Sequence, residues 1–186
     1  MRKTQKFNYG FTLLEMIIST GLFSVLVVSA IGIMLGVSNA QIKAANIQAI
    51  QDNIRFSLEL ITKEMRTGSN YQLTVKCSPP GSEISFTTSL GEPRTYFLDT
   101  DNKIIMRSVQ NITSADCANP EKVAPLTSEE VLVDRLSFTL RGEAPGPADG
   151  QPRATLALKV RSRSAKYLLE SSLDMQTTIT QRLRDL

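Results

Sequence analysis

At 186 residues, with 41% hydrophobic side chains and a formal net charge of +3, the chain has room for one modest domain beside any specialised segment. It has no histidine, which excludes Ser-His-Asp and Cys-His catalysis and the common histidine zinc sites, and its two cysteines cannot complete a four-ligand zinc site. Arg2, Lys3 and Lys6 account for all three excess charges, so from Phe11 onward the side chains sum to zero and give no general attraction to nucleic acid.

Those three cations lie in residues 1–10, which end on Gly10. Basic residues ahead of an apolar run stay on the cytoplasmic side by the positive-inside rule. Residues 1–10 therefore read as a cytoplasmic leader, with the rest of the chain across a membrane. From Phe11 to Val37 the sole charge is Glu15. A helix of about 27 residues spans roughly 40 Å, enough to cross a bilayer. It exceeds the ~7–15-residue apolar core of a cleaved signal peptide, so residues 11–37 read as a retained anchor. A carboxylate at the centre of a span costs roughly 2.5–3.5 kcal/mol on insertion scales, which marks Glu15 as a functional candidate. Gly32 and Gly36 form a small-xxx-small pair, a spacing found at close helix contacts and in ordinary membrane helices alike.

The helical pattern continues over residues 38–68. Ile47, Ile50, Ile54, Leu58, Ile61 and Met65 recur every three or four residues, as one helix face requires. Arg55, Glu59 and Lys63 recur on another face at the spacing of i,i+4 pairs. No proline occurs between Phe11 and Cys77, and Gly68 is placed to cap the helix end. One helix from Phe11 to Arg66, about 80 Å long, is expected. Its first half needs lipid or other helices, and its amphipathic second half needs a domain to cover its stripe.

Residues 69–186 read as a β-rich head. Tyr71 to Val75 is the predicted first strand, and Ile84, Phe86 and Thr88 alternate with polar neighbours. Arg94 to Leu98 and Lys103 to Arg107 flank Asp99-Thr100-Asp101-Asn102 and read as a hairpin. Val131 to Leu140 reads as a strand with an irregularity at Asp134-Arg135. Leu156, Leu158 and Val160 oppose Lys159, Arg161 and Arg163 across a strand. Leu169, Leu173, Met175 and Ile179 predict a last strand or two. Residues 108–130 and 142–153 carry the loop signals, and the second, rich in glycine and proline, is expected to be mobile.

Chemistry-bearing constellations are few. Glu129-Glu130 are adjacent, so in an extended chain they point apart and read as a solvated loop end. Asp99, Asp101 and Asn102 lack the glycine and distant glutamate of a calcium loop and fit a hairpin turn better. Lys159, Arg161 and Arg163, with nearby Lys166, line up as a candidate surface for DNA, anionic lipid or an acidic partner. The rival reading is the charged outer face of an antiparallel sheet, favoured because no aromatic residues interleave to stack bases. No catalytic set, metal site or cofactor motif emerges. Cys77 and Cys117 fall in the extracytoplasmic part, where a bridge is permitted; two unpaired thiols are the alternative.

The run Lys6 to Ser24, with Gly10-Phe11-Thr12-Leu13-Leu14-Glu15 at its centre, resembles the processing site of type IV prepilins and type II secretion pseudopilins. The resemblance implies an α+β fold, with a long N-terminal helix packed on a C-terminal antiparallel β-sheet head. It implies that a prepilin peptidase/methyltransferase cuts after Gly10 and methylates Phe11. Glu15 of one subunit would then meet the Phe11 amine of a neighbouring pilin or pseudopilin subunit, with a platform protein and motor ATPase lifting subunits from the cytoplasmic membrane. Gln51 to Leu58, Lys63-Glu64-Met65-Arg66 and Thr177 to Arg182 look like the helix end and C-terminus of minor pilins of the W type and pseudopilins of the J type. Gly32 stands where many major pilins have a helix-breaking proline, and neither cysteine lies near the C-terminus as in many of them. Both departures lean towards a minor subunit of a cell-surface or periplasmic filament. An adhesive or DNA-capturing competence pilin and a membrane-anchored extracytoplasmic enzyme are the competing readings, the enzyme disfavoured by the missing histidine.

Overall fold

The computed structural model describes residues 10–142, 151–163 and 170–182. Residues 1–9 of the expected leader, much of the loop at 142–153, Lys166 and Leu169 lie outside them. The chain is α+β: one long N-terminal helix packed on antiparallel sheets. Helix α1 runs Leu13–Thr67 without a break, through Gly32 and Gly36. It starts two residues later than predicted because Thr12 caps it, its Oγ1 accepting from the Glu15 amide at 3.2 Å.

The chain divides into two compact units, residues 1–42 and 43–186. In the first, every described side chain is exposed. Phe11 is 77% exposed and Met34 75%. The hydroxyls of Thr20, Ser24 and Ser29 each donate to the carbonyl four residues back, all at 2.8 Å. Such back-bonding satisfies a hydroxyl within the helix and suits an environment without water.

In the second unit, α1 buries Ile50, Ile54, Ser57, Ile61 and Met65. The predicted stripe thus needs correcting at three places. Ile47 is exposed, and Leu58 is half-buried at the margin. Ser57 takes the inward position, donating to Leu126 O at 3.2 Å and Asn53 O at 3.1 Å, so the covering loop meets a hydroxyl rather than a methyl group.

Five strands form one sheet in chain order: β1 Ser69–Leu73, β2 Glu83–Thr87, β3 Pro93–Asp99, β4 Ile104–Ser108 and β5 Val123–Pro125. Three form another: β6 Val131–Arg141, β7 Arg153–Ser162 and β8 Ser172–Thr180. All pairs are antiparallel, so short connections suffice throughout. The main core joins the α1 stripe to Ile84, Phe86, Tyr96 and Ile105 of the first sheet and Leu136, Phe138, Leu156 and Val160 of the second. A smaller cluster of Phe97, Ile112 and Val123 includes Cys77 at its margin.

The first strand begins at Ser69, two residues before the predicted start, because the helix turns directly into it. Gly68 follows the last helical residue, at the capping position expected, but it is not left-handed; the left-handed residue of the junction is Asn70, with φ 56°. The glycine answers to space: a Cβ there would lie 2.6 Å from Phe86 Cδ2 and 2.9 Å from Thr87 O. Tyr71 closes the junction, its hydroxyl donating to the Met65 carbonyl while its ring meets Phe86 at 5.9 Å. The hairpin at 99–104 forms as read, with Asp99 Oδ1 accepting from the amides of Asp101 (3.0 Å) and Asn102 (3.2 Å). The irregularity in β6 is a register shift between Val133 and Arg135.

Candidate functional site

The N-terminal candidates sit at the start of α1. Gly10 and Phe11 precede the helix, and nothing lies within 4 Å of where a Gly10 side chain would begin. Thr12 and Glu15 form one half of a capping box. The Glu15 amide is bound by Thr12, while no return bond from the Glu15 carboxylate is among those of the described residues. The carboxylate is exposed in the first turn, where the helix dipole favours an anion by about 0.3–1 kcal/mol. It is thus free to take a cation from outside the chain. The capping role was legible in Thr-Leu-Leu-Glu but was missed beside the larger question of an acid in an apolar run.

Cys77 and Cys117 are joined by a disulfide with Cα atoms 5.5 Å apart. It ties the segment after β1 to a 3-10 turn, Ser114–Asp116. Two carboxylates hold the tied ends. Asp116 accepts from Lys122 Nζ at 2.7 Å and from Thr113 N and Oγ1 at 2.9 and 2.8 Å. The Lys122 bond first, then those from Thr113, hold its pKa down at about 2. Glu83 is fully buried and forms no ion pair among the described residues. It is satisfied by Thr74 Oγ1 and by the amides of Cys77 (2.7 Å) and Ser78 (3.2 Å), so it fixes the backbone that carries the bridge.

The strongest electrostatic feature escaped the sequence reading. Glu64 leaves α1 towards β3 and β4 and meets Arg94, Tyr96 and Arg107. Its Oε2 accepts from Tyr96 OH at 2.6 Å and lies 3.3 Å from Arg94 Nε, and Oε1 pairs with Arg107 Nη2. Burial alone would raise the Glu64 pKa, but the hydrogen bonds from Arg107 and Tyr96 and the two guanidinium charges outweigh it, and the net shift is down. Burial, and then the Glu64 bond and charge, push the Tyr96 phenol up. Arg94 also donates to Ser108 O at 2.9 Å, so the cluster clamps the helix to the first sheet. Residues 63–66 lie apart in sequence from 94–107, and no local signal joins them.

Within the basic stripe on β7, Arg161 is paired in place. Arg161 pairs with Asp134 at 3.0 Å and with Glu170, whose hydrogen bonds, Glu170's first, raise its pKa. Lys159 stands opposite Asp174 in the sheet register. This is a solvated sheet face. Glu129 and Glu130 are exposed at the entry to β6. Among the described residues no group of three or more histidine, cysteine, aspartate or glutamate side chains is placed to hold a metal ion.

Helix α1 is long and apolar enough to cross a membrane, and none of its most apolar window is buried within the chain. Residues 6–31 match the family model for the prokaryotic N-terminal methylation motif. No curated protein and no solved structure matches the chain. The motif implies prepilin peptidase processing and assembly with other pilin subunits. Together the motif and the apolar helix support a membrane-anchored, type IV pilin-like protein.

Proposed function

We propose that the protein is a minor pilin or pseudopilin, a subunit that enters or initiates a short type IV pilus or type II secretion pseudopilus. The carrying observation is the apolar surface of α1 before residue 43: it is exposed on every side, yet it belongs to a chain whose head has its own core. Such a surface requires lipid first and like helices later. In this reading the chain crosses the membrane once: residues 1–10 are a cytoplasmic leader, 11–37 the span and filament core, 38–68 the amphipathic continuation, and 69–186 an extracytoplasmic head. Cleavage after Gly10 frees the Phe11 amine for methylation, and Glu15 of one subunit accepts that amine from its neighbour. Pairing offsets part of the cost of each charge in a low dielectric and sets axial register. The ion pairs of Arg161, at the middle of the basic stripe, weigh against a DNA-capturing pilin.

The test separates processing from assembly. Glu15→Ala, expressed with a prepilin peptidase and partner subunits, is expected to be cleaved normally and to be depleted from sheared filaments. Normal incorporation of the variant would sink the pairing mechanism.

A further inference from the structure

Strand edges are where sheets recruit further chains, and proteins guard them with bulges, proline, lysine or covering loops. Three of the four edges here are guarded. Strand β1 carries a bulge and the left-handed Asn70. Strand β5 has three residues and ends on Pro125. Strand β6 is bulged at Val133–Arg135, and its Val133 and Phe138 amides donate to Lys103 O and Gly81 O, both at 2.7 Å. Strand β8 differs. Its nine residues, Ser-Leu-Asp-Met-Gln-Thr-Thr-Ile-Thr, pair with β7 in unbroken register and contain no proline or lysine. Among the described residues, no backbone bond covers its other edge.

Beside that edge an open groove of about 890 Å³ runs between β8 and α1. Leu58, Leu173 and Met175 are its apolar lining. Arg55 and Glu59 pair across 3.4 Å on the helix side. Lys63, Arg66 and Arg182 also line it and have no ion pair among the described residues, leaving the groove with unbalanced positive charge. At one end the Arg182 amide donates to Arg66 O at 2.9 Å, which closes the sheet against the helix terminus.

We propose that the β8 edge and this groove dock an extended, acidic segment of a partner protein by strand addition. Main-chain bonds to the nine-residue edge, about 30 Å long, supply affinity. Apolar side chains on the inner face fill the groove over Leu58 and Met175, and carboxylates meet Lys63, Arg66 and Arg182. A second copy would bring only one carboxylate along β8, Asp174, to meet these three cations, so an acidic partner fits the groove better. The proposal does not depend on the N-terminal processing site.

The test uses the full chain in detergent micelles and a fluorescein-labelled nine-residue peptide of alternating valine and threonine, flanked by glutamates. Saturable binding by anisotropy is expected, with new hydrogen-exchange protection confined to residues 172–180. Replacing the flanking glutamates by lysine, or combining Lys63→Glu with Arg66→Glu at these two exposed helix positions, is expected to weaken binding about tenfold. N-methylation of alternate peptide amides is expected to abolish it. The proposal is overturned by an absence of saturable binding, by equal binding of the lysine peptide, by protection elsewhere, or by outward-pointing β8 amides, those not bonded to β7, being already protected in the free chain. Self-association of the chain that buries β8 would overturn it in favour of a second copy.

Discussion

Removing Glu64 is expected to loosen the helix from the first sheet. Glu64→Ala leaves the Arg94 and Arg107 side chains, 8% and 25% exposed, and the Tyr96 hydroxyl without their shared acceptor. Breaking a buried ion pair from one side costs about 3–5 kcal/mol. Glu64 is itself 17% exposed, so water reaches part of the vacated site. The low end, about 3 kcal/mol, is therefore expected. Unfolding entropy of about 2.1 cal/mol/K per residue gives ~0.3 kcal/mol/K for the unit from residue 43, so its Tm should fall by about 10 °C. The assay is urea and thermal unfolding followed by tyrosine fluorescence, which is clean because the chain has four tyrosines and no tryptophan. Arg107→Ala added to Glu64→Ala should cost less than the sum of the two single changes, since it removes an orphaned charge. Acid supplies a second axis. The folded pKa of Glu64 lies below its ordinary value of 4.5, so its contribution is complete above 4.5 and is lost as pH falls through the lower folded value. The stability gap between the native chain and Glu64→Gln should accordingly close below pH 4.5. A loss under 0.5 kcal/mol for Glu64→Ala (~0.5 kcal/mol being the ordinary scatter of surface changes), or strict additivity with Arg107→Ala, would refute the clamp.

Reduction of the Cys77–Cys117 bridge, or Cys77→Ser with Cys117→Ser, opens a closed segment with a sequence separation of 40. A loss of about 4 kcal/mol is expected from chain entropy, measured by denaturant midpoint with and without reductant. Gly68→Ala forces a methyl group against Phe86 and the Thr87 carbonyl and should destabilise the head by about 1–3 kcal/mol in the same assay. A neutral Gly68→Ala would show that the junction yields where the geometry says it is tight.

Periodicity carried most of the fold. The helix, the hairpin at Asp99–Asn102, the β6 irregularity and the alternation along β7 were all legible, because each is written in residues close together in sequence. The misreadings share a physical origin in tertiary demand. Ser57 lies in the buried stripe because Leu126 O needs a donor, and no helical periodicity marks a serine as inward. Gly68 was read as a cap from its position, whereas the crowding comes from Phe86. Glu64 looked like one of several charges on an amphipathic helix until β3 and β4 brought two arginines to it. Glu83 sits in a strand pattern that gave no sign of a buried carboxylate. At the N-terminus the residues of the motif are contiguous, so the motif matched over residues 6–31 was legible, while the capping role of Thr12 was not. The proposed pairing of Glu15 is not written in one chain, because its partner would be a second molecule.

The mass of the N-terminal peptide tests the central claim most directly. Co-expressed with a prepilin peptidase, the chain is expected to begin at Phe11 and to carry one methyl group on that amine, while Gly10→Ala retains Met1 and the leader. An intact Met1 in the native sequence under the same conditions, with a control prepilin fully processed, would contradict the account.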